Sequence, residues 1–323
     1  MKVMLQPSGH VIELLPGEKI IDAARRLGFS APHSCCNGNC HICAANLISG
    51  TVRQGTEVVE AGELFTCLAE PLSDCELQWD GVLAADELPL TKVACQLVSV
   101  TPLGADVFSV HLRLPAGKTV RYHAGQYLLL ERENGESSAF SIASAPQQGR
   151  ELELHILARD NVAVDLLRGL QKERIARLQL PFGDVHLVGV DERPLLLIAA
   201  GTGMAQMHSL IEHCRATQFK LPIHLYWGAR VANDFYALKN LPSWQEMRNL
   251  HFHQIVSEDA DWNGRSGMLY EAVRHDIENL NEYRVIVSGS PAMVYGTLDA
   301  LVEAGMRPEQ MHADVFTYAP RVK

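Results

Sequence analysis

Four cysteines, Cys35, Cys40, Cys43 and Cys67, constrain this chain more than any other feature. Their C-x4-C-x2-C spacing, with a fourth thiol farther along, is one that holds a two-iron, two-sulfur cluster. The loop Cys35-Cys36-Asn37-Gly38-Asn39-Cys40-His41-Ile42-Cys43 is short. Gly38 lets it wrap tightly with amide N–H groups turned toward the sulfides. Zinc is the competing reading of three close cysteines, but tetrahedral zinc sites usually pair two C-x2-C knuckles. The pattern therefore predicts a 2Fe-2S cluster on Cys35, Cys40, Cys43 and Cys67, and with it a one-electron carrier. Cys36, Cys75, Cys95 and Cys214 fall outside the pattern and read as structural thiols.

The chain has 323 residues, 47% of them hydrophobic, enough for two or three domains with sizeable cores. A net charge of -10 speaks against a nucleic-acid partner, which needs a basic face. No leader pattern and no run of about 18 apolar residues is present, so the expectation is a cytoplasmic protein without a membrane span.

Three segments follow one another. Residues 1–88 read as a hairpin (Met1 to Leu15), a helix (Ile20 to Leu27) capped at Gly28, the cysteine loop and a strand from Ala44 to Ile48. That order matches a β-grasp ferredoxin, and the acidic stretch Ala84 to Pro89 reads as a linker. Residues 89–190 show short strands broken by Gly and Pro, as in an antiparallel barrel. Residues 191–323 alternate strands and helices, which predicts a doubly wound parallel sheet. Its strands are expected at Leu195–Ala200, Ile223–Trp227, His251–Val256, Val285–Val287 and Ala313–Phe316. The fold class is thus multidomain, α+β followed by α/β.

Within the third segment an apolar strand runs into Gly201-Thr202-Gly203 and then a helix. Backbone amides and a helix N-terminus there suit a dinucleotide pyrophosphate, although tight packing alone also explains two glycines. Ser288-Gly289-Ser290-Pro291 and Tyr226-Trp227-Gly228-Ala229-Arg230 occupy two further strand ends. Arg230 is a candidate contact to the adenosine ribose or its phosphate, with a plain surface charge as the alternative. In the middle segment, Gly125-Gln126-Tyr127 and Ser138-Ala139-Phe140-Ser141 place an aromatic ring beside small hydroxyls. Such a pair can pack on a planar cofactor and bond its edge, while Phe140 taken alone reads as a core residue.

These residues together resemble the ferredoxin-reductase-type flavoproteins that carry an N-terminal ferredoxin domain. The arrangement is similar to reductase components of oxygenases and to the reductase of CDP-6-deoxyhexose synthesis; roughly the last two thirds resembles NAD(P)H-flavin reductases. The resemblance implies that Tyr127, Ser138, Phe140 and Ser141 meet a flavin, FAD with FMN as the alternative. It implies that Gly201, Thr202 and Gly203 bind NADH or NADPH, and that Ser288 and Gly289 abut the nicotinamide. Ser141 and Ser288 are the residues expected at the reacting rings. Three departures stand out: Ser138 replaces an arginine, Ser288 a cysteine, and Gln206 a proline. A second flavin motif is missing near Ala158-Arg159-Asp160, where Arg159 is expected to substitute as the flavin phosphate contact. Those losses imply a flavin held mainly by its ring. A C-terminal aromatic, Phe316 or Tyr318, is expected over the flavin face.

The implied path runs from NAD(P)H through flavin to the cluster and out to an acceptor protein such as an oxygenase or a deoxysugar dehydratase, with Ile42 on the docking surface. Two other functions compete: a flavin or ferric reductase, and a non-enzymatic carrier or redox sensor.

Overall fold

The computed structural model describes residues 1–84, 87–187 and 192–321. Residues 85 and 86 of the expected linker, and 188–191 around the expected 190/191 boundary, lie outside them. The chain divides into two compact units, Met1–Pro89 and Leu90–Lys323.

In the first unit, β1 (Lys2–Gln6), β2 (Val11–Glu13), helix α1 (Ile20–Arg26), β3 (Ala44–Ser49), β4 (Val52–Gln54), β5 (Glu57–Val59), β6 (Gly62–Phe65), β7 (Ala69–Pro71) and β8 (Cys75–Gln78) follow in order. Alternation along β1 buries Val3 and Leu5 and exposes Lys2 and Met4, the period-2 pattern of a sheet with one covered face. The main sheet runs β2-β1-β8-β3-β6, with β1 and β8 parallel; β5-β4-β7 forms a smaller sheet. Helix α1 lays Ile20, Ile21, Ala23 and Ala24 on the sheet. It stops where Gly28 takes φ 85° and Phe29 N–H bonds back to Ala24 O at 2.9 Å. The unit has its own core, including Leu5, Ile12, Leu47, Leu64, Leu77 and Trp79. A fully buried aliphatic side chain of this kind contributes roughly 1.5–3 kcal/mol.

The second unit opens with an antiparallel sheet. Its strands β9 (Thr91–Gly104), β10 (Val107–Arg113), β11 (Tyr127–Glu131), β12 (Ser137–Ser141), β13 (Glu151–Leu157) and β14 (Ile175–Phe182) lie in the order β12-β11-β14-β9-β10-β13. An antiparallel bridge between Ile142 and Leu154 joins the two edges and closes the barrel. Helix α2 (Asn161–Glu173) enters with Asp160 as N-cap, its carboxylate accepting Ala163 N–H at 2.8 Å. The helix buries Leu166, Leu167 and Leu170.

The remainder alternates strand and helix: β15 (Leu195–Ala200), α3 (Met204–Ala216), β16 (Ile223–Ala229), α4 (Leu241–Gln245), β17 (Leu250–Val256), β18 (Arg265–Ser266), α5 (Leu269–Asp276), β19 (Arg284–Ser288), α6 (Pro291–Glu303), β20 (Met311–His312) and α7 (Val315–Tyr318). The sheet order is β18-β17-β16-β15-β19-β20, all parallel. Strand order reverses beside β15, which puts a crevice at the carboxyl ends of β15 and β19. One expected element differs: Ala313–Phe316 is not a strand. Pairing of β20 with β19 ends at Ile286 and His312, and the next residues form α7, with Ala319 N–H bonded to Val315 O at 2.9 Å. A short apolar run cannot separate a strand from a buried helical turn; its pairing partner decides.

Candidate functional site

The cysteine loop lies within the first unit. Its backbone turns through Cys36 (φ 56°), Gly38 (φ 84°) and His41 (φ 58°), which swings successive amides to one side. Gly38 presses on Leu68, where an added Cβ would stand 2.7 Å from Leu68 Cδ1. Buried Thr66 ties the two strand ends together, its N–H and Oγ1 both bonding Cys43 O at 3.1 and 3.0 Å. Cys67 is thereby set beside Cys43, with sulfurs 3.3 Å apart. Cys40 N–H points at Cys35 Sγ at 3.4 Å. The four thiols thus form two pairs, Cys35 with Cys40 and Cys43 with Cys67. That donor set fits two irons, each taking two thiolates, better than one tetrahedral ion.

The amide of Asn37, helped by Cys40, pulls the Cys35 thiol down to about 6, so a thiolate is favoured at the exposed end. Burial, with Cys43 alongside, pushes Cys67 up to about 11. Cys36, expected as a structural thiol, is exposed, with its Sγ 3.8 Å from Ser34 O; Cys75, Cys95 and Cys214 are buried.

In the second unit, a groove of about 360 Å³ opens between the barrel and the parallel sheet. Tyr127, Leu129, Phe140 and Ser141 line one wall, and Ser288, Gly289, Asp314 and Tyr318 stand on the other. Tyr127 is held by stacking on Phe182, with centroids 5.6 Å apart. The slot suits a flat aromatic cofactor with hydroxyls at its edge.

Ser138 faces Leu130 in the β12–β11 register and does not line the groove. Phe316, expected over the flavin face, packs on Tyr295 at 5.5 Å; the C-terminal aromatic at the groove is Tyr318. The reason is α7: a helical turn there points alternate residues differently from the strand expected.

A second cavity, about 490 Å³, lies over the carboxyl ends of β15 and β16. It brings together Gly201, Thr202, Arg230 and Ser290, all drawn from the three strand ends singled out in the sequence. Gly203 stands behind it, where an added Cβ would meet Ser288 O at 2.2 Å; only glycine lets the turn approach β19 so closely. Arg159 lines this cavity and not the groove at Tyr127 and Phe140. Its guanidinium bonds Asp106 at 3.2 Å and Asp234 at 2.6 Å. Two carboxylates thus already hold the side chain expected at a flavin phosphate.

Tertiary packing brings together several polar residues, of which the sequence had singled out Gln206 alone, as a departure and without its partners. Gln206, 1% exposed, donates to Gly125 O at 2.7 Å and to Asp314 Oδ2 at 3.0 Å, linking barrel, helix α3 and groove. Burial raises the Asp314 carboxyl to about 7, with Asp184 adding repulsion and Gln206 opposing both. Glu153 is largely shielded from solvent, which alone would raise its carboxyl. Hydrogen bonds from His111, His155 and Ser109 hold it well below the ordinary range instead. His155 Nδ1 shares a 3.1 Å hydrogen bond with Tyr236, which lines the 490 Å³ cavity. Beyond the place of Gln206 after Gly201-Thr202-Gly203, no local sequence signal joins these groups.

Comparisons with known proteins converge on the same layout. Residues 3–72 match the family described as 2Fe-2S iron-sulfur cluster binding domain, and 197–299 match the oxidoreductase NAD-binding domain. Reductase component 2 of terephthalate 1,2-dioxygenase from Comamonas is 28% identical over 99% of this chain and 98% of its own. The CDP-6-deoxy-L-threo-D-glycero-4-hexulose-3-dehydrase reductase of Yersinia pestis is 30% identical over 98% of both. The crystal structure of a cytochrome P450 reductase from Amycolatopsis superimposes with a TM-score of 0.64 at 25% identity, covering 97% of this chain and 98% of that one. Among the described residues no helix is long and apolar enough to cross a membrane. Paired thiols ahead of a barrel and a dinucleotide sheet, and relatives matched from end to end, show that the chain belongs to the NAD(P)H-dependent iron-sulfur flavoprotein reductases, which pass electrons from NAD(P)H through flavin to a 2Fe-2S cluster.

Proposed function

We propose that this chain is the reductase partner of a separate acceptor protein, an oxygenase or a sugar dehydratase like those named for its relatives, and that it works in the cytoplasm. In this reading Cys35, Cys40, Cys43 and Cys67 hold the cluster from which electrons leave. Residues 89–190 form the flavin domain and 191–323 the nicotinamide domain. One observation carries the reading: Phe140 and Ser141 of the barrel face Ser288 and Gly289 of the dinucleotide sheet across one groove. Two flat rings seated there would stand against each other, and hydride transfer depends chiefly on that contact.

A flavin, when bound, converts a two-electron donor into single-electron steps. The protein supplies the rest. Gly201 and Thr202 present amides to the pyrophosphate, while Tyr127 and Phe140 seat the flavin ring. The Ser141 hydroxyl serves the ring's reactive edge. Asp314, poised near neutrality, holds or yields a proton at its carboxyl oxygen beside the ring. Val287 to Gly289 and Tyr318 exclude water from the other side.

The test uses the full chain loaded with iron, sulfide and FAD under anaerobic conditions. NADH or NADPH is expected to bleach the flavin band and produce the electron paramagnetic resonance signal of a reduced 2Fe-2S cluster. Cys67→Ser is expected to lose the cluster signal and cytochrome c reduction while keeping pyridine-nucleotide-dependent dye reduction. No bleaching with either nucleotide would overturn the reading.

A further inference from the structure

Gln206 stands where the resemblance places a proline, a residue whose side chain donates nothing. Here the side chain leaves the first turn of α3 and is buried at a junction of three elements. Its Nε2 stands 2.7 Å from Gly125 O ahead of β11, 3.4 Å from Val185 O after β14, and 3.0 Å from Asp314 Oδ2 at the start of α7. Two loops meet closely to set these acceptors. Gly125 takes φ 103°, and a Cβ there would stand 2.5 Å from Val185 O.

Those partners decide what the amide does. A carbonyl oxygen only accepts, so the end of Gln206 that faces Gly125 O is its NH2 group. An NH2 group only donates, so Asp314 Oδ2 accepts from it. The carbonyl oxygen of a neutral carboxyl is a better acceptor than its hydroxyl oxygen, which places the proton of neutral Asp314 on Oδ1. That atom lies toward the barrel. A Cβ built on Gly183 would meet Asp314 Oδ1 and Tyr127 Cδ1, each at 2.9 Å, so the oxygen and the ring share the space above Gly183. Tyr127 and Asp314 both line the 360 Å³ groove. The ionisable groups around the carboxyl are Asp184 from the segment after β14, Tyr127 of β11 and Tyr318 of α7. None of these three is a cation; Gln206 is the group that favours the ionised form.

We propose that Gln206 is a positioning residue of the groove: it holds Asp314 by Oδ2 and so leaves Oδ1, beside Tyr127, as the oxygen that takes up and releases the proton there. The inference rests on the flavin reading of the groove. A carboxyl held at one oxygen offers its proton in one direction only. Release breaks the Oδ1–H bond, leaves the electron pair on the carboxylate and passes the proton to a ring nitrogen in the groove. The charge left behind is met by the Gln206 N–H, without which a shielded carboxylate would stand unpaired.

The test begins with the full chain free of flavin. Infrared difference spectra across about pH 5.5 to 8.5 single out carboxyls that titrate near neutrality, well above ordinary aspartates and glutamates. The native protein is expected to show a protonated-carboxyl C=O band that Asp314→Asn removes. Gln206→Met, similar in size but without the N–H, is expected to move that band to higher frequency, because the C=O loses its hydrogen bond. The midpoint of its titration should rise by about one pH unit. Gln206→Glu keeps the shape, sets a second carboxyl against Oδ2 and should raise the midpoint further. In the chain loaded with FAD, the pH limb of flavin reduction by NADH or NADPH should move with that midpoint in Gln206→Met. In an Asp314→Asn background the same substitution should move nothing. An unmoved band and midpoint in both Gln206 variants, or a reduction limb that stays at its native pH while the midpoint rises, overturns the proposal. Failure of the native chain to bind FAD overturns the groove reading instead, and the flavin-free spectra keep the two results apart.

Discussion

Asp314 shows how one side chain couples stability to chemistry. Burial pushes its carboxyl up to about 7, Asp184 adds repulsion, and Gln206 alone pulls it down. A raised carboxyl in the folded chain means that the protonated form is the one the fold prefers. Its contribution is complete below the unfolded value near 3.8 and is lost as pH rises through about 7. Asp314→Asn should therefore raise the melting temperature at about pH 8 by a few degrees, with the gain vanishing near pH 5. The same variant should flatten any limb near pH 7 in the profile of NAD(P)H oxidation. An equal gain at both pH values would show that the carboxyl stays ionised. The pairing of Gln206 with Asp314 was not legible beforehand, because the two lie far apart in sequence and meet only through packing.

At the scale of elements, the turn from β15 into α3 forms one wall of the cavity proposed for the dinucleotide. Its glycines were legible as a strand-turn-helix, but their separate duties were not. Gly201 and Thr202 line the cavity, whereas Gly203 backs onto β19. An added Cβ at Gly203 would collide with the backbone oxygen of Ser288, and backbone cannot move aside as a flexible side chain does. Gly203→Ala is accordingly expected to push the turn away from Ser288 and Gly289. It should raise the KM for NAD(P)H by about tenfold or more and lower kcat with it, since the nicotinamide end of the site moves too. Stopped-flow measurement of flavin reduction checks this; native kinetics in the variant would show that the turn shifts freely.

For the molecule as a whole, two units each bury a core of their own. The cluster ligands proposed here all belong to Met1–Pro89, and a bound centre stabilises only the state that holds its ligands together. Removing iron with a chelator, or Cys67→Ser, is expected to lower the melting transition of the first unit and leave that of Leu90–Lys323 in place. Differential scanning calorimetry with iron analysis reads both. A matching drop in both transitions would show that the units melt as one.

By itself the sequence determined the kind of chemistry and the order of the parts. Cysteine spacing, glycine turns after apolar runs and the change from period-2 to helical patterning are local signals, set by covalent distance and backbone freedom. Cys35, Cys40, Cys43, Cys67 and Gly201 to Gly203 were legible for that reason. Tertiary structure alone decided who faces whom. It paired the thiols two by two, turned Ala313–Phe316 from strand to helix, and put Tyr318 rather than Phe316 at the groove. It also put Arg159 beside Gly201 and Thr202 and not at the Phe140 groove. The Cys43–Cys67 pair and the ion pairs of Arg159 depend on contacts between residues remote in sequence, where a partner is won by whichever neighbour the fold delivers.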